Sequence, residues 1–335
     1  WTSSEVGPPE VTVDVTVMVP TYRRPASLAR CLEALTAVQL HLTWELLVVD
    51  NDPQGGALVV VQAAASGLAA PVRYVLEPSL GAARARNRGI AEARGALTVM
   101  LDDDVVVPPD WLARLLGPLL ADRADVAGGQ VVLDPGVPRP SWFADSLIGG
   151  YVARLDLGPV ERPLSGAEIV LTASAAFRTA QLRSVGGFDS RLGPSGSRQI
   201  VHDDTQLVRS LTRAGARVVY VPEAVAVHEL PSTRLRPRWI VQRAFWQGRS
   251  DWLLDSESYR SRRWNGARVA VVYWSQHVRE DWLAPTPQRR ARAFAVLCST
   301  ARCAGALAEA AAWQRADPPG QASTAGASTR DGVEP

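Results

Sequence analysis

Between Leu97 and Pro108 an apolar run, Leu-Thr-Val-Met-Leu, breaks into Asp102-Asp103-Asp104 before Val-Val-Val-Pro resumes. No fold buries three unpaired carboxylates, because even one costs more than a strand gains by packing. The chain must therefore set this junction at a strand end and face it with cations. Side chains alternate along an extended backbone, so Asp102 and Asp104 are expected on one side and Asp103 on the other. Two uses fit such a pair. Converging carboxylates with open positions suit a hard divalent cation, Mg²⁺ or Mn²⁺, that also takes oxygens from a phosphate-bearing ligand. Aspartates here can equally cap a helix starting near Pro109.

The rest of the chain supplies the context. Its 335 residues, 47% of them apolar, suffice for a full core in one large domain or two modest ones. Formal net charge is only +2 and every basic residue is an arginine, a balance that does not single out nucleic acid as a partner. Cys31, Cys298 and Cys303 are odd in number and lack ligand spacing, which fits a reducing compartment and no cysteine metal site. No run of 18 or more uncharged apolar residues stands out, and no charged-then-apolar leader precedes the first strand. A cytoplasmic protein is expected.

From residue 13 onward strands and helices alternate, after a polar, Pro-rich lead-in (1–12) expected to be flexible. Val13–Pro20 is β-branched and ends at Thr21-Tyr22-Arg23-Arg24; Pro25 then suits a first helical position, with Leu28, Cys31, Leu32 and Leu35 at helical spacing. A second strand, Trp44–Val49, ends in Asp50-Asn51-Asp52 before a helix over 57–65. A third, Val72–Leu76, precedes Gly81 and a helix to Ala93 that carries Arg84, Arg86 and Arg88. The Asp-rich strand is the fourth. Such alternation predicts an open, mostly parallel α/β sheet with helices on both faces, in which ligands bind beyond the carboxyl ends of the strands. That rule gathers Thr21-Tyr22, Asp50-Asn51-Asp52 and the three aspartates at one crevice. Neither a Gly-x-Gly-x-x-Gly turn after the first strand nor a phosphate-binding P-loop is present.

Beyond the helix Trp111–Leu120 and the strand Val126–Leu133, residues 134–165 are irregular. Ile169–Phe177 reads as extended, Thr179–Val185 as a short helix, and Gly193–Ser197 as a mobile Gly/Ser-rich stretch. Next come His202-Asp203-Asp204-Thr205 and a helix closed by Gly215. Asp203 with Gln206 matches a capping box, which explains one carboxylate; a spare one could act as general base toward an alcohol. Arg217–Val221 and Ala224–Val227 read as two short runs ending at His228, either a structural histidine or a third metal ligand. From Arg234 to Arg268 nine arginines face three acids, with Trp239, Phe245, Trp246 and Trp252 interleaved. This is either an amphipathic helix packing its aromatics on the sheet, or a cationic surface for a phosphate-bearing acceptor or an anionic membrane face.

In their order and spacing these motifs resemble the family 2 glycosyltransferases, inverting enzymes with the GT-A fold. The matching pieces are Val17–Arg24, Leu47–Asn51, Gly81 through Ala85–Gly89, Leu101–Asp104, Gly186-Gly187-Phe188-Asp189, and Asp203-Asp204-Thr205 with His228. The resemblance implies a GT-A-type α/β domain over 13–232, with a nucleotide-sugar half (13–133) and an acceptor half (134–232). A helical C-terminal region (233–315) and a disordered tail (316–335) would follow. It implies that Pro20, Thr21, Tyr22, Arg24, Asp50, Arg86, Asp102 and Asp103 hold a UDP-, GDP- or TDP-type donor. Asp102, Asp104 and His228 would face a divalent metal, Mn²⁺ or Mg²⁺, and Asp204, with Asp203 beside it, would be the catalytic base. The family's Gly-Glu-Asp reads His202-Asp203-Asp204 here, so either aspartate could be the base, and Thr172-Ala173-Ser174 replaces a usual Gly-x-Asn. A catalytically inactive, nucleotide-sugar-binding scaffold of the same fold is the alternative. The expected acceptor is a hydroxyl of unspecified identity, and the expected location is the cytoplasm, with peripheral contact to the membrane's cytoplasmic face through the Arg234–Arg268 segment.

Overall fold

A computed structural model describes residues 13–166, 168–256 and 286–316. The lead-in, residues 257–285 of the expected helical C-terminal region with the arginines at 260, 262, 263 and 268, and the tail from 317 lie outside the described residues.

The β-branched runs form the strands that their composition favours. β1 (Val15–Thr21), β2 (Trp44–Asp50), β3 (Val72–Leu76) and β4 (Leu97–Leu101) pair in parallel. Their crossovers are α1 (Pro25–Thr36), α2 (Leu58–Ala65) and α3 (Ala82–Glu92). Beyond β4 come β5 (Val105–Val106), α4 (Trp111–Leu120) and β6 (Val126–Leu133). A short helix α5 (Asp145–Ile148) and strand β7 (Arg162–Pro163) lead to β8 (Ser174–Arg178) and α6 (Thr179–Ser184). The domain closes with α7 (Asp203–Arg213) and β9 (Val218–His228), followed by α8 (Pro237–Leu254) and α9 (Pro287–Ala316).

The sheet order is β3-β2-β1-β4-β8-β6-β9-β5, with β7 on β9. The α/β class with a helical extension is as expected, and the sheet is mixed beyond β4. β8 lies antiparallel between β4 and β6, because it arrives through the irregular 134–173 segment instead of a helical crossover. Only residues 174–177 of the expected 169–177 strand are extended, the strand running on to Arg178; Thr172 and Ala173 form a turn. The two runs before His228 are one strand. A register shift opposite Gly129 and Gln130 bulges β9 at Pro222-Glu223-Ala224, where proline cannot donate to the ladder.

Strand alternation divides the core. Val15, Val17 and Val19 face α1 and α4 through Leu28, Leu32, Trp111 and Leu115. Met18 and Met100 face α3 and α7 through Ala85, Ile90, Leu207 and Leu211. A third cluster joins Phe143, Ile148 and Val152 to Leu235, Ile240, Ala244, Phe294 and Cys298. Thus α8 packs mainly on α9 and the 143–152 segment, where one of the two sequence readings had its aromatics on the sheet. Glycine is required at the α8/α9 crossing. A Cβ on Gly248 would lie 1.7 Å from the Arg302 carbonyl oxygen, and one on Gly305 would lie 1.8 Å from that of Phe245. Although no spanning stretch was expected, Pro287–Trp313 of α9 is long and apolar enough to cross a membrane, with mean hydropathy 1.2; 39% of that window is buried inside the protein.

Candidate active site

The carboxyl ends of β1, β4 and β9, the start of α7 and one face of α8 converge on a cavity of about 460 Å³. Pro20, Thr21, Tyr22, Arg24, Arg86, Asp102, Asp103, Asp104, Asp203, Asp204 and His228 all line it, together with Arg234, Trp239, Arg243 and Gln247.

The 102–104 segment leaves the strand after Leu101 and turns, with Val105 N–H donating to the Asp102 carbonyl at 3.2 Å. Alternation therefore fails here, because turn geometry replaces the pleat. Asp103 accepts from Thr21 Oγ1 at 2.7 Å and from Arg24 at 3.0 Å, and the same Arg24 nitrogen reaches Asp104 at 2.8 Å. His228 Nε2 lies 3.3 Å from the other Asp104 oxygen, and Arg234 approaches at 3.4 Å. Asp102 turns instead to Arg86, at 3.1 Å, and keeps 28% of its side chain exposed.

Arg86 is the hinge between two acidic groups. Its second terminal nitrogen donates to Asp203 at 2.5 Å, and its guanidinium stacks on the Phe188 ring 5.6 Å away. That ring is held by the Gly186–Asp189 turn, where Asn87 exchanges hydrogen bonds with Phe188 N–H and C=O, both at 2.8 Å. Asp204 accepts from Thr172 Oγ1 at 2.8 Å and from Thr172 N–H at 3.3 Å. The capping box is not formed. His202 occupies the N-cap position, and Gln206 accepts from Asp189 N–H and donates to Ser210, so both aspartates are free for tertiary partners. Of the five aspartates lining the cavity, Asp204 alone has no arginine or histidine partner among the described residues.

Asp50 is not brought to the cavity. Its fully buried carboxylate accepts from Asp52 N–H, Ala57 N–H and the Tyr74 hydroxyl, each at 2.9 Å, and pins the loop after β2. Asn51 takes the lining position and secures the approach to α3 by bonding Glu77 and Ser79 carbonyls and Gly81 N–H. The Gly193–Ser197 stretch is tied down as well, Pro194 C=O accepting from Ala82 N–H at 2.9 Å and Ser195 Oγ donating to the Leu80 carbonyl. Arg234 and Arg243 are the residues whose place the sequence did not reveal. Arg243 has neither hydrogen bond nor ion pair among the described residues, and burial together with the Arg234 charge pushes its guanidinium down to about 10.

Charge states follow from these contacts. Burial pushes Asp103 up to about 6 against the opposing pull of Arg24. Burial raises Asp104 too, but the hydrogen bond and charge of His228, with Arg24 and Arg234, hold it well below the usual carboxylate range. Burial and the neighbouring Asp203 charge push Asp204 up to about 7, and Arg86 only partly offsets them. A carboxylate near 7 is matched to proton abstraction at neutral pH. Among the described residues no three His, Cys, Asp or Glu side chains form a cluster that could hold an ion alone. Asp104 and His228 are together, and Asp102 stands apart on Arg86. That donor set still fits a hard cation of the kind that binds through one or two carboxylates and completes its shell with water and phosphate oxygens.

Known proteins share this arrangement of elements. A model of glycosyl transferase family 2 matches residues 16–173, and one of glycosyl transferase family group 2 matches residues 97–299. The chain is 28% identical over 267 residues to the succinoglycan biosynthesis protein ExoM of Rhizobium meliloti, covering 77% of this chain and 81% of that protein. It is 26% identical over 245 residues to the glucosyl-dolichyl phosphate glucuronosyltransferase of Haloferax volcanii, covering 72% and 77%. The mannosyltransferase PcManGT from Pyrobaculum calidifontis, solved with GDP-Man and Mn²⁺, has the same fold, with TM-score 0.53 at 21% identity over 89% of this chain and 75% of that one. The chain belongs to the family 2 glycosyltransferases. It is a glycosyltransferase of the hexosyltransferase kind.

Proposed function

We propose that the enzyme transfers a sugar from a nucleoside-diphosphate donor to an acceptor hydroxyl with inversion, Asp204 acting as general base. The observation that carries this reading is the placement of Asp204, a cavity carboxylate held by Thr172 and, among the described residues, in no ion pair, with its proton affinity raised to about 7. Asp203, locked on Arg86, is the poorer base. In this reading Pro20, Thr21, Tyr22, Arg24, Arg86, Asp102 and Asp103 contact the donor, while Asp50 acts at one remove by holding the loop that carries Asn51.

Asp104, His228 and Asp102 would hold Mn²⁺ or Mg²⁺, whose chemistry when bound is to withdraw charge from the departing diphosphate. Arg24, Arg234 and Arg243 add fixed positive charge for the same oxygens. Asp204 takes the proton from the acceptor hydroxyl as that oxygen attacks the anomeric carbon from the side opposite the leaving group, which inverts the centre. The nucleotide half (13–133) would carry the donor and the half over 134–232 would meet the acceptor, with α8 of the 233–315 region closing the cavity. A cytoplasmic enzyme touching the membrane face through its arginine-rich 234–268 segment fits a lipid-linked acceptor, and one relative is named for a dolichyl-phosphate substrate.

The test is calorimetric binding of UDP-, GDP- and TDP-sugars with Mn²⁺ and with EDTA, followed by transfer assays on simple and polyprenyl-phosphate-linked sugars. We expect one nucleotide class to bind more tightly with Mn²⁺ and to be consumed with an acceptor. Binding without transfer to any acceptor would favour a non-catalytic scaffold, and no binding at all would overturn the reading.

A further inference from the structure

We propose that Asp251 of α8 and Arg302 of α9 are positioning residues for the base, acting through His202, which directly precedes the Asp203-Asp204 pair. The inference rests on the reading of Asp204 given above.

His202 has φ 74° and ψ 12°, a left-handed conformation that side chains other than glycine rarely adopt and that persists only where surroundings hold it. What holds it is visible on both sides of the ring. Nδ1 meets Thr205 Oγ1 at 3.3 Å, and Nε2 meets Asp251 Oδ1 at 2.7 Å. Asp251 is itself clamped by Arg302, whose Nε and terminal nitrogen reach the two carboxylate oxygens at 2.6 and 2.8 Å. Such two-point arginine contacts fix orientation as well as charge. A second tie runs beside the first, Val201 N–H donating to the fully buried Ser250 Oγ at 2.8 Å. Two consecutive residues of the loop are thereby fastened to two consecutive residues of α8.

The first turn of α7 has attachments at both ends. Its carboxylate heads are set by Arg86 and Thr172, and its backbone entry by the 202–251–302 chain. The second attachment fixes the backbone just before the pair, and with it the direction in which the helix starts. Arg302 can reach Asp251 because α8 and α9 touch backbone to backbone at Gly248 and Gly305. The C-terminal helix pair is thus built into the reaction geometry, three residues spaced about fifty apart in sequence acting as one strut. Displacing a base by about 1 Å costs on the order of 10²-fold in rate.

The experiment uses the full chain and four variants: Asp251→Asn, Arg302→Met, Arg302→Lys and His202→Gly. Asp251→Asn and Arg302→Met are expected to lower kcat about 10- to 100-fold while donor KM and calorimetric donor affinity stay within about twofold. Arg302→Lys should recover much of the loss. His202→Gly separates aim from stability, since glycine adopts the same backbone without strain yet loses the strut; its melting temperature should hold while kcat falls. Amide hydrogen exchange in the first turn of α7 should quicken in Asp251→Asn ahead of the sheet, a readout that needs no acceptor. Unchanged kcat and unchanged exchange in folded Asp251→Asn and His202→Gly would overturn the proposal, as would losses that follow the melting temperature alone. Failure of the wild type to transfer sugar, with exchange at α7 still quickened, would overturn the reading of Asp204 and leave the strut intact.

Discussion

Arg86 joins Asp203 to the end of β4: one terminal nitrogen donates to Asp203 and the other to Asp102, across a sequence gap of more than a hundred residues. The guanidinium is buried, and so is Asp203. Removing one partner of a buried ion pair strands the other's charge, at a cost of about 3–5 kcal/mol. Arg86→Ala should therefore lose stability on that scale in urea unfolding, and Arg86→Met should do no better despite its similar length. Asp203→Asn is expected to cost less, because Asp102 still accepts from Arg86.

Asp204→Asn keeps the shape of the side chain and removes its basicity. General-base help is worth about 10²–10⁴-fold, so kcat should drop by that factor with little change in donor affinity. Steady-state kinetics beside donor titrations reads both. A near-normal kcat in this variant would assign the proton to another group.

The pH dependence has a definite sign. As the proposed base Asp204 would act only when ionised, and burial followed by the Asp203 charge raises its proton affinity to about 7. Log kcat/KM should hold at higher pH and fall as the pH drops through about 7. Thr172 stabilises the ionised form through its hydrogen bond, so Thr172→Val should move this acid limb to higher pH. A pH–rate profile of the two proteins checks it.

Asp104 is held well below the usual carboxylate range, yet both of its carboxylate oxygens are engaged by His228, Arg24 or Arg234. Asp104→Asn should abolish the gain in nucleotide-sugar affinity that Mn²⁺ produces, while leaving the weaker metal-free binding. Calorimetry in Mn²⁺ and in EDTA separates the two contributions.

Gly305→Ala would drive a methyl group into the Phe245 carbonyl, so α8 and α9 must part. Overpacking of this kind costs about 1–3 kcal/mol, visible as a lower melting temperature.

The sequence shows its parallel half plainly, because β1 is rich in β-branched residues, β1 and β2 are apolar and almost wholly buried, and β1 is followed by a helix that buries Leu28, Cys31, Leu32 and Leu35 at helical spacing. Nothing local to Ser174–Arg178 announces that this strand inserts antiparallel between β4 and β6, since pairing partners are chosen by distant residues. Pro222-Glu223 reads as a break, and only the ladder opposite Gly129 and Gln130 reveals a bulge. The candidate residues at strand ends were legible from topology, and all but Asp50 and Asp52, the latter paired with Arg23, line one cavity. Asp50 differs because its neighbours' N–H groups and the Tyr74 hydroxyl satisfy it internally. Arg234 and Arg243 were legible only as charge; their direction depends on how α8 meets the rest of the molecule.

The place of β8 has a consequence for biosynthesis. β6 touches the first four strands only through β8, so this stretch of chain, once translated, waits for residues as far on as Arg178 before it can join them. At about 5–20 residues per second the ribosome needs roughly 2–9 s to cover that interval. During those seconds a nascent strand edge lies open to wrong neighbours, and the order of synthesis cannot be the order of assembly.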